Sequence, residues 1–148
     1  MEDPFDLDRF VTAQNSGGTY EQALAELQTG SKRSHWMWFI FPQITGLGQS
    51  TTSRKYAIRS LEEATAYLQH PVLGPRLIEC ADTVGALKDR TAEEVFGRTD
   101  ARKLHSSMTL FLRAAPGEPA FKQVLSRFFE GEPDAATDEL LKKQRDLD

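Results

Sequence analysis

The chain has 148 residues, 27% of them charged and 39% hydrophobic, and a formal net charge of -4. That is one domain's length of ordinary globular composition, and its acidic balance argues against broad electrostatic binding to nucleic acid or to anionic membranes. A lone cysteine, Cys80, excludes an intrachain disulfide and a thiolate metal cage, and no apolar run approaches the roughly 20 residues of a membrane span.

The acidic start, Met1–Asp6, has no apolar segment of the secretory type, so a cytoplasmic protein is expected. Arg9–Asn15 reads as a short helix stopped by Ser16-Gly17-Gly18. Thr19 is the expected N-cap of the next helix, in which Tyr20, Ala23, Leu24 and Leu27 share one face and Gly30 closes the C-terminus.

Residues 34–43 then run Ser-His-Trp-Met-Trp-Phe-Ile-Phe-Pro-Gln and hold both tryptophans of the chain. The run is short enough for a strand, a turn or a helix. With no obvious partner strand to take its backbone hydrogen bonds, a buried helical turn is favoured. A loop containing Gly46, Gly48 and Ser50–Ser53 follows.

Ser60-Leu61-Glu62-Glu63 reads as a capping box, with Glu63 reaching back to the Ser60 amide. Its helix ends near His70-Pro71. A further helix carries Leu73, Leu77, Cys80, Ala81 and Val84 on one face, with Pro75 in its first turn. Thr91–Glu94 is a second capping box. Asp100 is the expected N-cap of a helix with Leu104, Ser107, Met108 and Phe111 inward. Glu118-Pro119 opens another, stopped by Gly131, and Asp134 caps a last helix through about Lys143, with a frayed tail at 144–148. The expected architecture is all-α: a single domain over residues 1–148, core about 4–143, of some seven or eight helices.

The strings Phe5-Asp6-Leu7, His35-Trp36-Met37-Trp38-Phe39, Phe41-Pro42-Gln43, Gly46-Leu47-Gly48, Leu73-Gly74-Pro75-Arg76-Leu77 and Ser106–Phe111 together resemble the bacterial family known as domain of unknown function 1810. The likeness covers roughly residues 4 to 143. It implies a compact helical domain and no reaction. Gly97, Met108 and Phe111 bear a fainter likeness to the YbiA-like, or NADAR, proteins, which implies a role in ADP-ribose or nucleotide metabolism.

Candidate chemistry gathers around the aromatic block. Lys32, Arg33 and His35 are cationic groups beside Trp36 and Trp38, the combination that holds a phosphate while an indole stacks on a ring. Gln43 closes the block with a second polar group. Ser50, Ser53 and Tyr56 belong to a glycine-bearing loop able to present amides to an anion, although neither a phosphate-binding P-loop nor a dinucleotide fingerprint is present. Asp100 and Lys103 form an i, i+3 pair.

In a cleft, Asp100 or His35 is the candidate catalytic group, Lys103 an anion anchor, and the reaction hydrolysis of a nucleotide or ADP-ribosyl type N-glycosidic bond. Ser106 and Ser107 either allow close packing or touch ligand. Cys80 reads as a packed small hydrophobe. His70 reads as a helix-end residue, His105 as a surface one, and Arg76 and Glu79 as a candidate pair. The histidines lack metal-ligand spacing, so neither metal nor cofactor is expected. The expected function is binding of a small anionic ligand beside the aromatic block. The alternative is a non-catalytic interaction or structural module whose aromatics lie wholly in the core.

Overall fold

The computed structural model describes residues 3–147, and in it the apolar stripes become the inner faces of helices. Helices α1 (Asp8–Asn15) and α2 (Thr19–Thr29) are joined by a 3-10 turn at Ser16–Gly18. Gly17 and Gly18 take φ of 60° and 71°, a region L-residues avoid, so the chain reverses there. Gly18, not Thr19, is the N-cap of α2; the Thr19 hydroxyl instead donates to the Ser16 carbonyl at 2.6 Å.

The aromatic block forms the expected buried turn, α3 (Met37–Ile40). Trp36, Met37, Ile40 and Phe41 are each 2% exposed or less. The loop after it is more ordered than its glycines imply. Ile44 and Ile58 form a single parallel bridge, and Thr51–Lys55 is a short helix, α4, whose N-cap Ser50 accepts the Ser53 amide at 3.1 Å.

The remaining helices are α5 (Leu61–Gln69), α6 (Leu73–Gly85), α7 (Ala92–Phe96), α8 (Arg98–Ala114), α9 (Pro119–Phe128) and α10 (Ala135–Leu147). Among the described residues the protein is all-α, as the periodicity indicated. Two departures concern helix ends. Helix α8 starts at Arg98 with Gly97 as its N-cap, which places Asp100 inside the first turn. Helix α10 runs to Leu147, and the Gln144 side chain donates to the Arg59 carbonyl at 2.8 Å.

The long helix α8 packs against α5, α7, α9 and α10, while α6 closes the other side against α2, α5 and α9. Phe10, Tyr67, Phe111 and Phe121 fill the space between them, with centroids 5.1–5.8 Å apart along the chain of rings. Burying such a side chain fully contributes about 1.5–3 kcal/mol. Helices α5 and α6 meet at Gly74, where an added Cβ would lie 2.1 Å from the Leu68 carbonyl oxygen.

One buried ion pair ties the N-terminus to this frame. Arg9 Nη2 lies 2.8 Å from Glu63 Oε2, with side chains 6% and 0% exposed. The same guanidinium donates to the carbonyls of Phe5, Asp6, Lys55 and Ala57 at 2.7–2.8 Å. All its donors are therefore occupied, the condition for tolerating a buried charge. Ser60 caps α5 as expected, but the Glu63 carboxylate takes the Arg59 amide, not that of Ser60. Thr91 and Glu94 form the full reciprocal capping box.

Candidate functional site

The candidate site begins with a carboxylate that no motif in the sequence marks. Glu26 lies on the last turn of α2, and the loop beyond Gly30 folds back over it. Its oxygens accept the amides of Arg33 and Ser34 at 2.7 and 3.0 Å, the Ser34 hydroxyl at 2.6 Å and the Trp36 indole N–H at 3.0 Å. Burial pulls this carboxyl upward, but the Ser34 hydroxyl and the other donors outweigh it and hold it down at about 2. Glu26 thus anchors residues 31–36 in one conformation and fixes the plane of Trp36.

That loop carries Lys32 toward α8. The Lys32 amide donates to the Val95 carbonyl at 2.8 Å, which pins the loop to α7. The Lys32 ammonium lies 2.8 Å from Asp100 Oδ2, donates to the Ser34 carbonyl and stands 4.9 Å from the Trp36 ring centre. Lys103 reaches the other oxygen, Oδ1, at 3.3 Å and sits 4.5 Å over the Trp38 ring. The side chains of Lys32, Asp100 and Lys103 are 7%, 20% and 19% exposed. Two cations therefore share one anion in a largely desolvated place, each against an indole. Cation–ring contacts of this kind contribute roughly 0.5–2 kcal/mol.

Trp38 is half-buried, and it also borders a small recess of about 20 Å³ with Gln43, Gly48, Ser53 and Tyr56, room for about one water. Gly48 is required here, since a Cβ would meet the Ser53 side chain at 2.5 Å. Lys32, Trp36, Trp38, Asp100 and Lys103 are thus brought together. Gln43, Ser53 and Tyr56 form a second group, which Trp38 also borders.

Ser50 donates its hydroxyl to Ser53 at 2.9 Å and acts as a helix cap. Tyr56 packs edge-on to Phe39 at 5.3 Å. His35 is exposed and, among the described residues, makes no hydrogen bond to Asp100, so no acid–base pair is assembled between the two candidate catalytic groups.

Outside the cluster, Arg76 and Glu79 do not pair. Arg76 donates to Gln14 at 3.2 Å and lies over Tyr20 at 4.6 Å, while Glu79 accepts the Tyr20 hydroxyl. The His70 ring accepts the amides of Val72 and Leu73 at 3.1 and 3.2 Å and so caps the start of α6. His105 is not simply a surface group: it stacks on Phe129 at 4.2 Å and bonds the Glu132 carbonyl at 2.7 Å. Ser106 and Ser107 are both buried inside the helix packing. Burial pushes the Cys80 thiol up to about 12, far from a reactive thiolate. Among the described residues no group of three or more His, Cys, Asp or Glu is arranged to hold a metal ion, and no helix is long and apolar enough to cross a membrane.

Comparison with known proteins agrees with the fold and adds no reaction. The profile of the family described as protein of unknown function (DUF1810) matches residues 4–141. The crystal structure of the conserved hypothetical protein Rv1873 from Mycobacterium tuberculosis is similar at a TM-score of 0.91 and 51% identity, covering 95% of this chain and 99% of that one. No curated protein matches the chain.

Proposed function

The chain belongs to the DUF1810 family, and from its own geometry we propose that it binds a small anionic ligand bearing a planar ring, such as a nucleotide or ADP-ribose, at Trp38, Lys103 and Asp100. The observation that carries this reading is the sharing of one carboxylate by two ammonium groups. A purely structural tie between the Lys32 loop and α8 needs only one lysine. The second places an additional ammonium over a half-buried indole, in surroundings where a charge–charge contact is stronger than in water. A phosphate would accept from the remaining N–H donors of Lys103, and the ring of the ligand would lie on the open part of Trp38.

The reading is one of binding: the two oxygens of Asp100 face ammonium groups at 2.8 and 3.3 Å, the arrangement of an anchor for cations. One observation favours a second reading, in which the block is purely structural: the recess beside Trp38 has a volume of only about 20 Å³, so a ligand must lie across the surface.

The two readings separate in a thermal-shift series with inorganic phosphate, AMP, ADP-ribose and uncharged adenosine. A ligand at 100 times its Kd stabilises by about 2.7 kcal/mol, several degrees in Tm for a domain of this size. AMP or ADP-ribose is expected to raise Tm and adenosine is not. Equal Tm values with all four at millimolar concentration support the structural reading and reject the ligand.

A further inference from the structure

A groove of about 870 Å³ lies away from the aromatic block, between the start of α5, the end of α8 and α10. Its volume falls within the roughly 300–1,000 Å³ typical of small-molecule sites. We propose that this groove is a second binding site, for a small amphipathic anion with an apolar body and one carboxylate, sulfonate or phosphate head.

The apolar part of the proposal rests on Leu61 and Leu141. Both line the groove and pack against the core from outside it, only partly buried. The charge part rests on imbalance. Arg59, Arg113, Lys142 and Arg145 line the groove with only two carboxylates, Glu62 and Asp138, in a chain whose net charge is -4. Arg113 is committed to Asp138 through two bonds of 2.9 and 2.8 Å. Arg59, Lys142 and Arg145 form no ion pair among the described residues.

The groove is also framed. The Arg113–Asp138 fork ties α8 to α10, and the Gln144 amide donates to the Arg59 carbonyl at 2.8 Å, tying α10 to the approach of α5. The two ties hold α10 in place by polar contacts, with Leu61 and Leu141 left as floor. Concave shape, apolar floor and cations without an ion pair among the described residues together match a ligand that is apolar at one end and anionic at the other.

The test uses 8-anilino-1-naphthalenesulfonate, an aromatic sulfonate, as a fluorescent probe of the folded full chain. A saturable component of binding that persists in the presence of excess ADP-ribose is expected. Monomeric decyl phosphate and decanoate are expected to displace the probe, and inorganic phosphate and decanol to fail. In the double variant Arg59→Gln/Arg145→Gln the probe's Kd is expected to rise at least tenfold, the effect of losing one charge-assisted contact or both. Lys103→Gln, at the other site, is expected to leave that Kd unchanged. Circular dichroism confirms that each variant is folded.

Absence of saturable binding overturns the proposal. So does a Kd that the double variant leaves unchanged. Capture by anionic vesicles without displacement by monomeric decyl phosphate also overturns it, and assigns the surface to a membrane. None of these outcomes bears on the Trp38 site, whose ligands are read by a different signal.

Discussion

Lys32 Nζ lies 2.8 Å from Asp100 Oδ2, and this contact joins the loop that carries the aromatic block to the central helix α8. Glu26 holds the same loop from the side of α2, through the two amides, the hydroxyl and the indole it accepts. The block is therefore gripped from both sides by carboxylates, and Trp38 is presented at the seam. Asp100→Ala removes one grip and leaves two poorly exposed ammonium groups without an anion. It is expected to cost about 1–3 kcal/mol, read by urea denaturation near neutral pH. A change within about 0.5 kcal/mol, the usual range of exposed substitutions, would show that the lysines find water instead.

Glu26 gives a pH signature. Its folded value, about 2, lies below the ordinary 4.5, so its stabilisation is fully present above about pH 4.5 and disappears as the pH falls toward 2. The stability difference between the wild type and Glu26→Gln should be largest at pH 5–7 and shrink steadily below pH 4.5. A difference that stays constant from pH 6 to pH 3 contradicts the hydrogen-bond account of this carboxylate.

The Arg9–Glu63 pair is buried with side chains 6% and 0% exposed. Arg9→Met strands a buried carboxylate and is expected to cost about 3–5 kcal/mol. A double-mutant cycle with Glu63→Gln should give a coupling of about 1–3 kcal/mol, because the residues are in direct contact. Additive single effects would mean that Arg9 acts only through the four carbonyls it also serves.

Gly74 is fixed by space. A methyl group there would sit 2.1 Å from the Leu68 carbonyl oxygen, a backbone atom that cannot swing aside as a side chain can. Gly74→Ala should therefore lose more than the roughly 1–3 kcal/mol of ordinary overpacking, although alanine is the better helix former. Gly117→Ala, where nothing lies within 4 Å, is the control and should be nearly neutral. Equal effects at the two positions would show that α5 and α6 can part.

The helices were legible in the sequence because their stripes repeat within a single element. Tyr20, Ala23 and Leu27, or Phe121, Val124 and Leu125, needed no knowledge of a partner to be placed inward. Asp100 with Lys103 was legible for the same reason, as a pair three residues apart. What stayed hidden is long-range pairing. Nothing local marks Arg9 for Glu63 or Lys32 for Asp100, since those partners meet only once the fold exists. Glu26 was masked by its position beside an apolar stripe, where a carboxylate at a helix end usually faces water. Ser50 and Ser53 read as part of a ligand loop in the sequence, and the fold adds a local use that the loop's composition does not announce: Ser50 satisfies the free amide of a short helix.

The ligand reading is tested most directly by titrating the protein with ADP-ribose and with AMP while following tryptophan fluorescence. Trp36 is 1% exposed and bonded to Glu26, while Trp38 is half-buried under Lys103, so the response should come from Trp38. A saturable change is expected in the wild type and in Trp36→Phe and not in Trp38→Phe, with Kd about tenfold weaker in Lys103→Gln for one lost charge-assisted contact. A flat titration in the wild type to millimolar ligand, or a Kd that Lys103→Gln does not move, would contradict the site.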